Sequence, residues 1–340
     1  MKAARLTAPR TIELCEVNIP EPAADEVLIR TKAVGICGSD LHIYQGHRPD
    51  IQLPRVMGHE ISGEIIKVGK NAGSVKNLKE GDKVVVDPVV YCGECYACRR
   101  GKNHLCTTVK CLGCQVDGGF TEYFTSPAKN VYTISDDISW NDAAMAEPFS
   151  IGAQVFGRSE YTERERVVIF GAGTIGLCVL QVFKLMGAKV LITDIIDSRL
   201  EIAKSLGADV TVNNKSESLA EKVAGFTENE GADVVIEAAG HYALVKEAMG
   251  ILTKGGRIVV LGLTKEDTGL TEFDFVRTEI QIRGSVLNNM KFPQVIEWMN
   301  AKKLNPEPLI TGVYPVEKIS EAFETILASP ADSLKVLVTF

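Results

Sequence analysis

The chain has 340 residues, room for two domains with a sizeable core each. Hydrophobic residues make up 45% and charged residues 24%, an ordinary balance for a soluble protein, and no apolar run is long and uncharged enough to span a bilayer. Lys and Arg number 37 against 44 Asp and Glu; the resulting net charge of −7 argues against a nucleic-acid partner, which wants a basic face.

Up to about residue 150 the chain reads as short β segments separated by Gly, Pro and Asp turns, such as EVLIRTKAVGI, HEISGEIIKVG and DKVVVDPVV. Three motifs in this half carry metal-ligand chemistry. Cys37 sits in Gly35-Ile-Cys37-Gly38-Ser39-Asp40, His59 and Glu60 follow Gly58, and Glu147 lies in Ala146-Glu147-Pro148-Phe149. A Cys, a His and a carboxylate make three protein ligands and leave a fourth position open for water or substrate. Each residue alone also has a plain reading as a packed thiol, a core imidazole or a surface acid, and spacing does not establish that they converge.

Between these motifs lies Cys92-Gly-Glu-Cys95-Tyr-Ala-Cys98, completed by Cys106. Gaps of two, two and seven residues suit a lobe, here 91–107, folded around one tetrahedral Zn²⁺. An iron–sulfur cluster is the rival, but the bacterial ferredoxin run has a short third gap followed by Pro, and here Thr107 follows. Disulfides are not expected, because the start MKAARLTAPR carries no apolar secretory segment. The nine cysteines therefore point to a reducing compartment, with the cytoplasm as the expected location. Four thiolates fill the tetrahedron, so this metal does no chemistry. Cys111 and Cys114 form a further CxxC just beyond it and read as packing residues. His47 and Arg48, ahead of the Gly58 motif, read as a solvated loop, with contact to an anionic substrate group as the alternative.

After residue 150 the rhythm becomes strand, helix, strand, helix. VVIFGAG (167–173), KVLITD (189–194), DVVIEAAG (233–240), RIVVLGL (257–263) and EIQIRGSV (279–286) are near-continuous apolar strands, with helices over 174–187 and through SRLEIAKSLG. That pattern predicts a doubly wound parallel α/β sheet. The tail, a helix near 291–302 and a strand KVLVTF at 335–340, resembles the first half and is assigned to it. The expected domains are 1–150 with 288–340, and 151–287.

Gly171-Ala-Gly173-Thr174-Ile175-Gly176 closes a strand and opens a helix, and Asp194 ends the next strand. In that context G-x-G-x-x-G reads as a dinucleotide fingerprint: the glycines allow close approach of the pyrophosphate, which meets the free N–H groups of the helix. Asp194 would accept the ribose hydroxyls and repel a 2′-phosphate, which favours NAD over NADP. Arg199, five residues on, would stack beside the adenine or welcome a 2′-phosphate. Leu261, Gly262 and Leu263, and Ser285, Val286 and Leu287, at strand ends, are assigned to the nicotinamide pocket.

The motifs GICGSD (35–40), GHEISGEIIKVGKNA (58–72), the thiol lobe (92–106), DGGFTEY (117–123), AEPFSI (146–151) and GAGTIG (171–176) fall in one family's order. By them the chain resembles the zinc-containing medium-chain alcohol dehydrogenases, in the branch of polyol (sorbitol), L-threonine and sugar-acid dehydrogenases. The resemblance implies an α/β fold: a GroES-like β-rich catalytic domain completed by the tail, and an inserted Rossmann domain, with the active site in the cleft between them. It implies two Zn²⁺ per chain, the structural one on Cys92, Cys95, Cys98 and Cys106. The catalytic one is held by Cys37 and His59, with Glu60 or Glu147 as the acidic ligand. Zinc would act as a Lewis acid on a substrate hydroxyl, hydride would pass to the nicotinamide, and Ser39 and then His42 would relay the proton. Relatives are dimers or tetramers, often paired through the strand near 280–286, so a homo-oligomer is expected.

The resemblance is looser for the substrate. The Arg-Tyr pair of sorbitol dehydrogenases is missing from Gly284-Ser285-Val286-Leu287-Asn288-Asn289, and AEPFSI differs from the Asp-Pro-Phe pattern of threonine dehydrogenases. The expected reaction is oxidation of a secondary alcohol on a polyol or sugar acid, with L-threonine as runner-up. A catalytically inactive member with a structural or regulatory role is the reading from a different class.

Overall fold

Strand Glu26–Ile36, rich in Val, Ile and Leu and buried over most of its length, is the spine of the β-rich part of the chain. A computed structural model describes all residues from Met1 to Phe340. The spine pairs antiparallel with Glu60–Val68 along one edge, and with Tyr123–Pro127 and then Lys335–Thr339 along the other. Lys83–Val86, Val131–Thr133 and Ile310–Pro315 complete a seven-stranded sheet. The helix Ile319–Ala328 packs on it through Phe323, which meets Tyr44 and Phe120 in the core.

The register of this sheet sets up the chemistry. Gly35 lies opposite Glu60, and Ile36 lies opposite Val336. Cys37, which follows the spine, His59, which precedes the second strand, and Lys335, which opens the last one, are thereby delivered to one end of the ladder. A Cβ on Gly35 would overlap Glu60 Oε2 and displace that buried carboxylate.

The chain divides into two units: Met1–Glu147 with Asn289–Lys302 and Pro306–Phe340, and Pro148–Asn288 with Lys303–Asn305. The second unit is a six-stranded, fully parallel sheet in the order Val210–Asn213, Lys189–Asp194, Arg166–Phe170, Ala232–Glu237, Leu252–Val260, Gln281–Gly284. Its central strands are buried on both faces, as their unbroken Val and Ile runs require. Helices Thr174–Leu185, Asp197–Ser205, Leu219–Phe226 and Ala243–Ile251 connect them. This is the doubly wound α/β architecture expected from the sequence.

Two details differ from the expectation. Val210–Asn213 is a strand that the apolar pattern did not announce; only Val212 in it is buried. The strand near 260 starts at Leu252, ahead of its apolar run, and ends at Val260, and the strand near 284 ends at Gly284, so Leu261–Leu263 and Ser285–Leu287 are loops beyond the strand ends. No helix is long and apolar enough to cross a membrane.

Candidate active site

Cys37 stands at the start of helix Gly38–Tyr44, where its own N–H donates to Asp40 Oδ2 at 2.9 Å. Asp40 is fully buried. Its other oxygen accepts the Gly58 N–H at 3.4 Å and lies 3.6 Å from His59 Nδ1. One carboxylate thus ties the Cys37 turn to the Gly58-His59 turn. A ligand atom from each of Cys37, His59 and Glu60 falls within 4.8 Å of the others.

The spot is short of positive charge. Burial pushes the His59 imidazolium down, but Asp40 and Cys37 together lift it well above its ordinary range. His59 Nδ1 and Glu60 Oε2 are buried without a hydrogen-bond partner, which in a protein interior is costly. Glu60 Oε1 accepts from Lys335 Nζ at 2.5 Å, and Lys335 also donates to the Ile36 carbonyl at 3.1 Å. Burial pushes the Lys335 ammonium down, yet the charges of Glu60 and Cys37 leave it raised. Thiol, imidazole and carboxylate converging on a buried, anion-rich point are a donor set that suits zinc.

Glu147 is buried but does not belong to that trio. Burial raises its carboxyl to about 8, with the His59 charge lowering it and the Glu60 charge raising it. Ser39 is half-buried in the first turn of the helix after Cys37; His42 is exposed, in the last turn, with its ring 6.1 Å from that of His47. Arg48 is held by both oxygens of Asp50, at 2.6 and 2.7 Å.

Cys92, Cys95, Cys98 and Cys106 also come together. Sulfur–sulfur distances of 3.5 Å (Cys95–Cys98 and Cys92–Cys106) and 4.0 Å (Cys92–Cys98) bracket the edge of a tetrahedron, about 3.8 Å for Zn–S bonds of about 2.3 Å. Backbone N–H groups of Cys92, Cys95 and Thr108 point at sulfur, each at 3.4 Å. Backbone N–H groups draw Cys95 down to about 5 and Cys106 to about 7, while burial raises Cys98 to about 12. Two of the four thiols are thereby drawn toward the thiolate form that a metal takes. Asn289 fastens it to the rest of its unit, donating to the Gly101 carbonyl and accepting the Asn103 N–H.

In the parallel-sheet unit the glycine loop, Asp194, Leu261–Leu263 and Ser285–Leu287 lie at or just beyond the carboxyl ends of strands, where such sheets bind ligands, and Arg199 lies in the helix that follows Asp194. Gly171 has φ +97°, and a Cβ on Gly176 would overlap the Gly171 carbonyl, so helix Thr174–Leu185 packs tightly on its strand. The helix starts at Gly173 without a side-chain cap. Only Arg199, at 3.9 Å, approaches the place of a Gly173 Cβ. The Arg199 guanidinium thus stands beside the residue that opens the helix. Asp194 Oδ2 accepts the Ala172 N–H at 2.7 Å, and Oδ1 accepts those of Ile195 and Ile196, so its charge is fixed beside the glycine loop.

Three residues of these sites carry no role in the sequence reading. Asp40 stood within GICGSD without an assigned task. Lys335 reaches Glu60 from 275 residues away. Glu237, fully buried, gathers the N–H groups of Ala239, Gly240 and His241 on one oxygen and so shapes the loop that Gly262 packs against.

Two protein-family models match the chain. The alcohol dehydrogenase GroES-like domain model matches residues 23–136, and the zinc-binding dehydrogenase model matches residues 174–301. The starvation-sensing protein RspB of Escherichia coli strain K12 is 40% identical, over 100% of this chain and 99% of that protein. Sorbitol dehydrogenase of Bacillus subtilis strain 168 is 35% identical, over 99% and 97%. A crystal structure of a protein from E. coli CFT073, described as a short chain alcohol dehydrogenase (rspB) complexed with NADH, superposes with a TM-score of 0.93 at 39% identity, covering 100% of this chain and 99% of that one.

Proposed function

Because the chain belongs to the zinc-containing medium-chain alcohol dehydrogenases, a family of oxidoreductases, we propose that it oxidises a secondary alcohol of a polyol or sugar acid, with NAD⁺ as hydride acceptor. In this reading the β-rich unit is the catalytic domain and the parallel-sheet unit binds the dinucleotide. The observation that carries it is the trio of half-buried Cys37 with buried His59 and Glu60, with Glu60 Oε2 left without a partner.

Zinc held by that trio would supply Lewis acidity toward the substrate hydroxyl. The residues around it have separate tasks. With Nδ1 turned to Asp40, His59 offers Nε2 as ligand, and the Asp40 charge raises its basicity. Lys335 holds one oxygen of Glu60 and leaves the other for the metal. Glu147 stands beside them as the second acid, close enough for the His59 charge to act on it. Ser39 Oγ takes the hydroxyl proton. His42, three residues along the same helix and so on the same face, is exposed and passes the proton to water.

Gly171, Gly173, Thr174, Ile175 and Gly176 would cradle the pyrophosphate, and Asp194 the adenosine ribose. The fixed Asp194 carboxylate favours NAD over NADP, with Arg199 against the adenine. Leu261–Leu263 and Ser285–Leu287 would border the nicotinamide. Outer strand Gln281–Gly284 has one unpaired edge, and Phe273 and Val276 nearby are 63% and 79% exposed. That combination supports a homo-oligomer, a dimer or tetramer.

The test is a screen for NADH formation over polyols, aldonates and L-threonine, run with a zinc assay and repeated with NADP⁺. The proposal expects two zinc ions per chain and turnover of a polyol or aldonate with NAD⁺. Turnover of L-threonine alone would move the substrate to the amino-alcohol class. One zinc per chain with no nucleotide binding would overturn the enzyme reading and favour a structural or regulatory role.

A further inference from the structure

Cys111 and Cys114 belong to neither metal group and carry no disulfide. Cys111-Leu112-Gly113-Cys114 is a β-turn: the Cys114 N–H donates to the Cys111 carbonyl at 3.1 Å, and Gly113 takes φ +77°, the type II signature at the third position. The first and fourth Cα atoms of such a turn lie within about 7 Å, and disulfides span about 4.4–6.8 Å. The turn therefore holds its two Cα atoms within about the span that a disulfide takes. The two thiols are close enough to act on each other's proton.

The turn is firmly placed. Cys111 pairs with Val89, its N–H donates to Gln115 Oε1 at 2.9 Å, and the Leu112 N–H donates to the Pro88 carbonyl at 3.0 Å. A Cβ on Gly113 would come within 2.7 Å of Gly58 N, so the turn rests on the backbone one residue before His59. The charges of His59 and Asp40 reach the Cys114 thiol, and those of Glu147 and Asp40 reach Cys111. Both thiols are largely covered, at 9% and 6% exposure. A small oxidant little larger than water is the kind that reaches them.

We propose that Cys111 and Cys114 are a redox-active dithiol that hydrogen peroxide closes to a disulfide against Gly58, next to His59 and Glu60. One thiolate sulfur attacks the peroxide; an S–O bond forms, the O–O bond breaks, and the departing hydroxide takes the thiol proton to leave as water. The second thiol attacks the sulfenic sulfur; the S–S bond forms, the S–O bond breaks, and a second water leaves. Two thiols lose two electrons, and one peroxide becomes two waters. Drawing the sulfurs to bonding distance, about 2.05 Å, moves the turn on Gly58 and shifts His59 relative to Cys37. Oxidation then lowers turnover, and a dithiol reductant restores it. The activity effect rests on the proposed function; the disulfide does not.

The experiment exposes the zinc-loaded protein to graded hydrogen peroxide, alkylates remaining thiols under denaturing conditions, and maps tryptic peptides without reduction. Cleavage after Lys110 and Lys129 places both cysteines in one peptide. The expected result is that this peptide becomes lighter by two hydrogens and unalkylated, at a lower dose than modifies Cys37 or the quartet. Activity falls in step and returns with dithiothreitol, while C111S/C114S keeps its activity at the same dose. Recovery of Cys111 and Cys114 as alkylated thiols after a dose that oxidises Cys37 or the quartet overturns the proposal. So does inactivation of C111S/C114S at the wild-type dose when the linked peptide is absent from wild type. The peptide map on the unmodified chain decides the matter even where a variant fails to fold or no substrate is found.

Discussion

Lys335 Nζ lies 2.5 Å from Glu60 Oε1, with both side chains at most 4% exposed. A buried ion pair contributes little net stability, but removing one partner leaves the other charge stranded, typically at 3–5 kcal/mol, a range of about that order. Lys335→Met should therefore destabilise the zinc-free protein by a few kcal/mol. Zinc should return part of the loss, since a cation at Glu60 replaces the missing ammonium. Denaturant curves with and without zinc check this. Equal stability of wild type and variant in the absence of zinc would mean that Lys335 does not hold an ionised Glu60.

Asp40 joins the Cys37 N–H, the Gly58 N–H and His59. Asp40→Asn keeps the size and one acceptor oxygen but removes the charge behind the imidazole. Loss of such a partner typically costs about 10–100-fold in metal affinity. We expect zinc at the trio to weaken by that order in a chelator competition, while the quartet keeps its ion; the amide NH2 that then faces a buried N–H also lowers the melting temperature. Unchanged affinity would remove Asp40 from the metal's support.

Glu147 gives the site a pH signature. Its folded-state carboxyl, raised to about 8 by burial, lies far above its ordinary value of 4.5. Between those limits the folded zinc-free protein holds a proton that the unfolded chain releases, so stability falls as pH rises through the window. Glu147→Gln has no proton to lose. Relative to wild type it should gain stability from about pH 4.5 to about pH 8, by up to a few kcal/mol, and the difference should be flat outside that range. Thermal unfolding of both proteins across pH, without zinc, measures it; a difference that is level throughout would show that Glu147 titrates normally.

Much of this was legible in the sequence because the signals are local. GAGTIG with its strand and helix, the thiol spacing, and the GICGSD and GHE motifs each span only a short stretch of neighbouring elements. What stayed hidden was long-range or polar. Lys335, at the edge of KVLVTF, reads as a surface cation; only the pairing of Ile36 with Val336 carries it to Glu60. Glu60 and Glu147 are equally good acids on paper. The Gly35–Glu60 register brings Glu60 into the trio, an outcome of sheet pairing that spacing does not encode. Strand Val210–Asn213 escaped notice because it lies at the sheet edge and buries one side chain.

The thiol quartet yields the last prediction, which separates the two metals. Its sulfurs are already at tetrahedral spacing with N–H groups aimed at them, so metal binding there reinforces a lobe that little apolar burial supports: Cys92 and Tyr96 are exposed, and Tyr96 remains 67% accessible. Cys95→Ser should lower the zinc content from two to one per chain, reduce the melting temperature and weaken assembly. Cys37→Ser should also lose one zinc, but keep the fold and lose turnover, because the β-ladder that delivers Cys37 stands without the metal. Zinc stoichiometry, melting curves and NADH formation on the two variants together discriminate the roles. A Cys95→Ser protein as stable as wild type would refute a structural metal at the lobe, and a Cys37→Ser protein with full turnover would refute a reactive one at the trio.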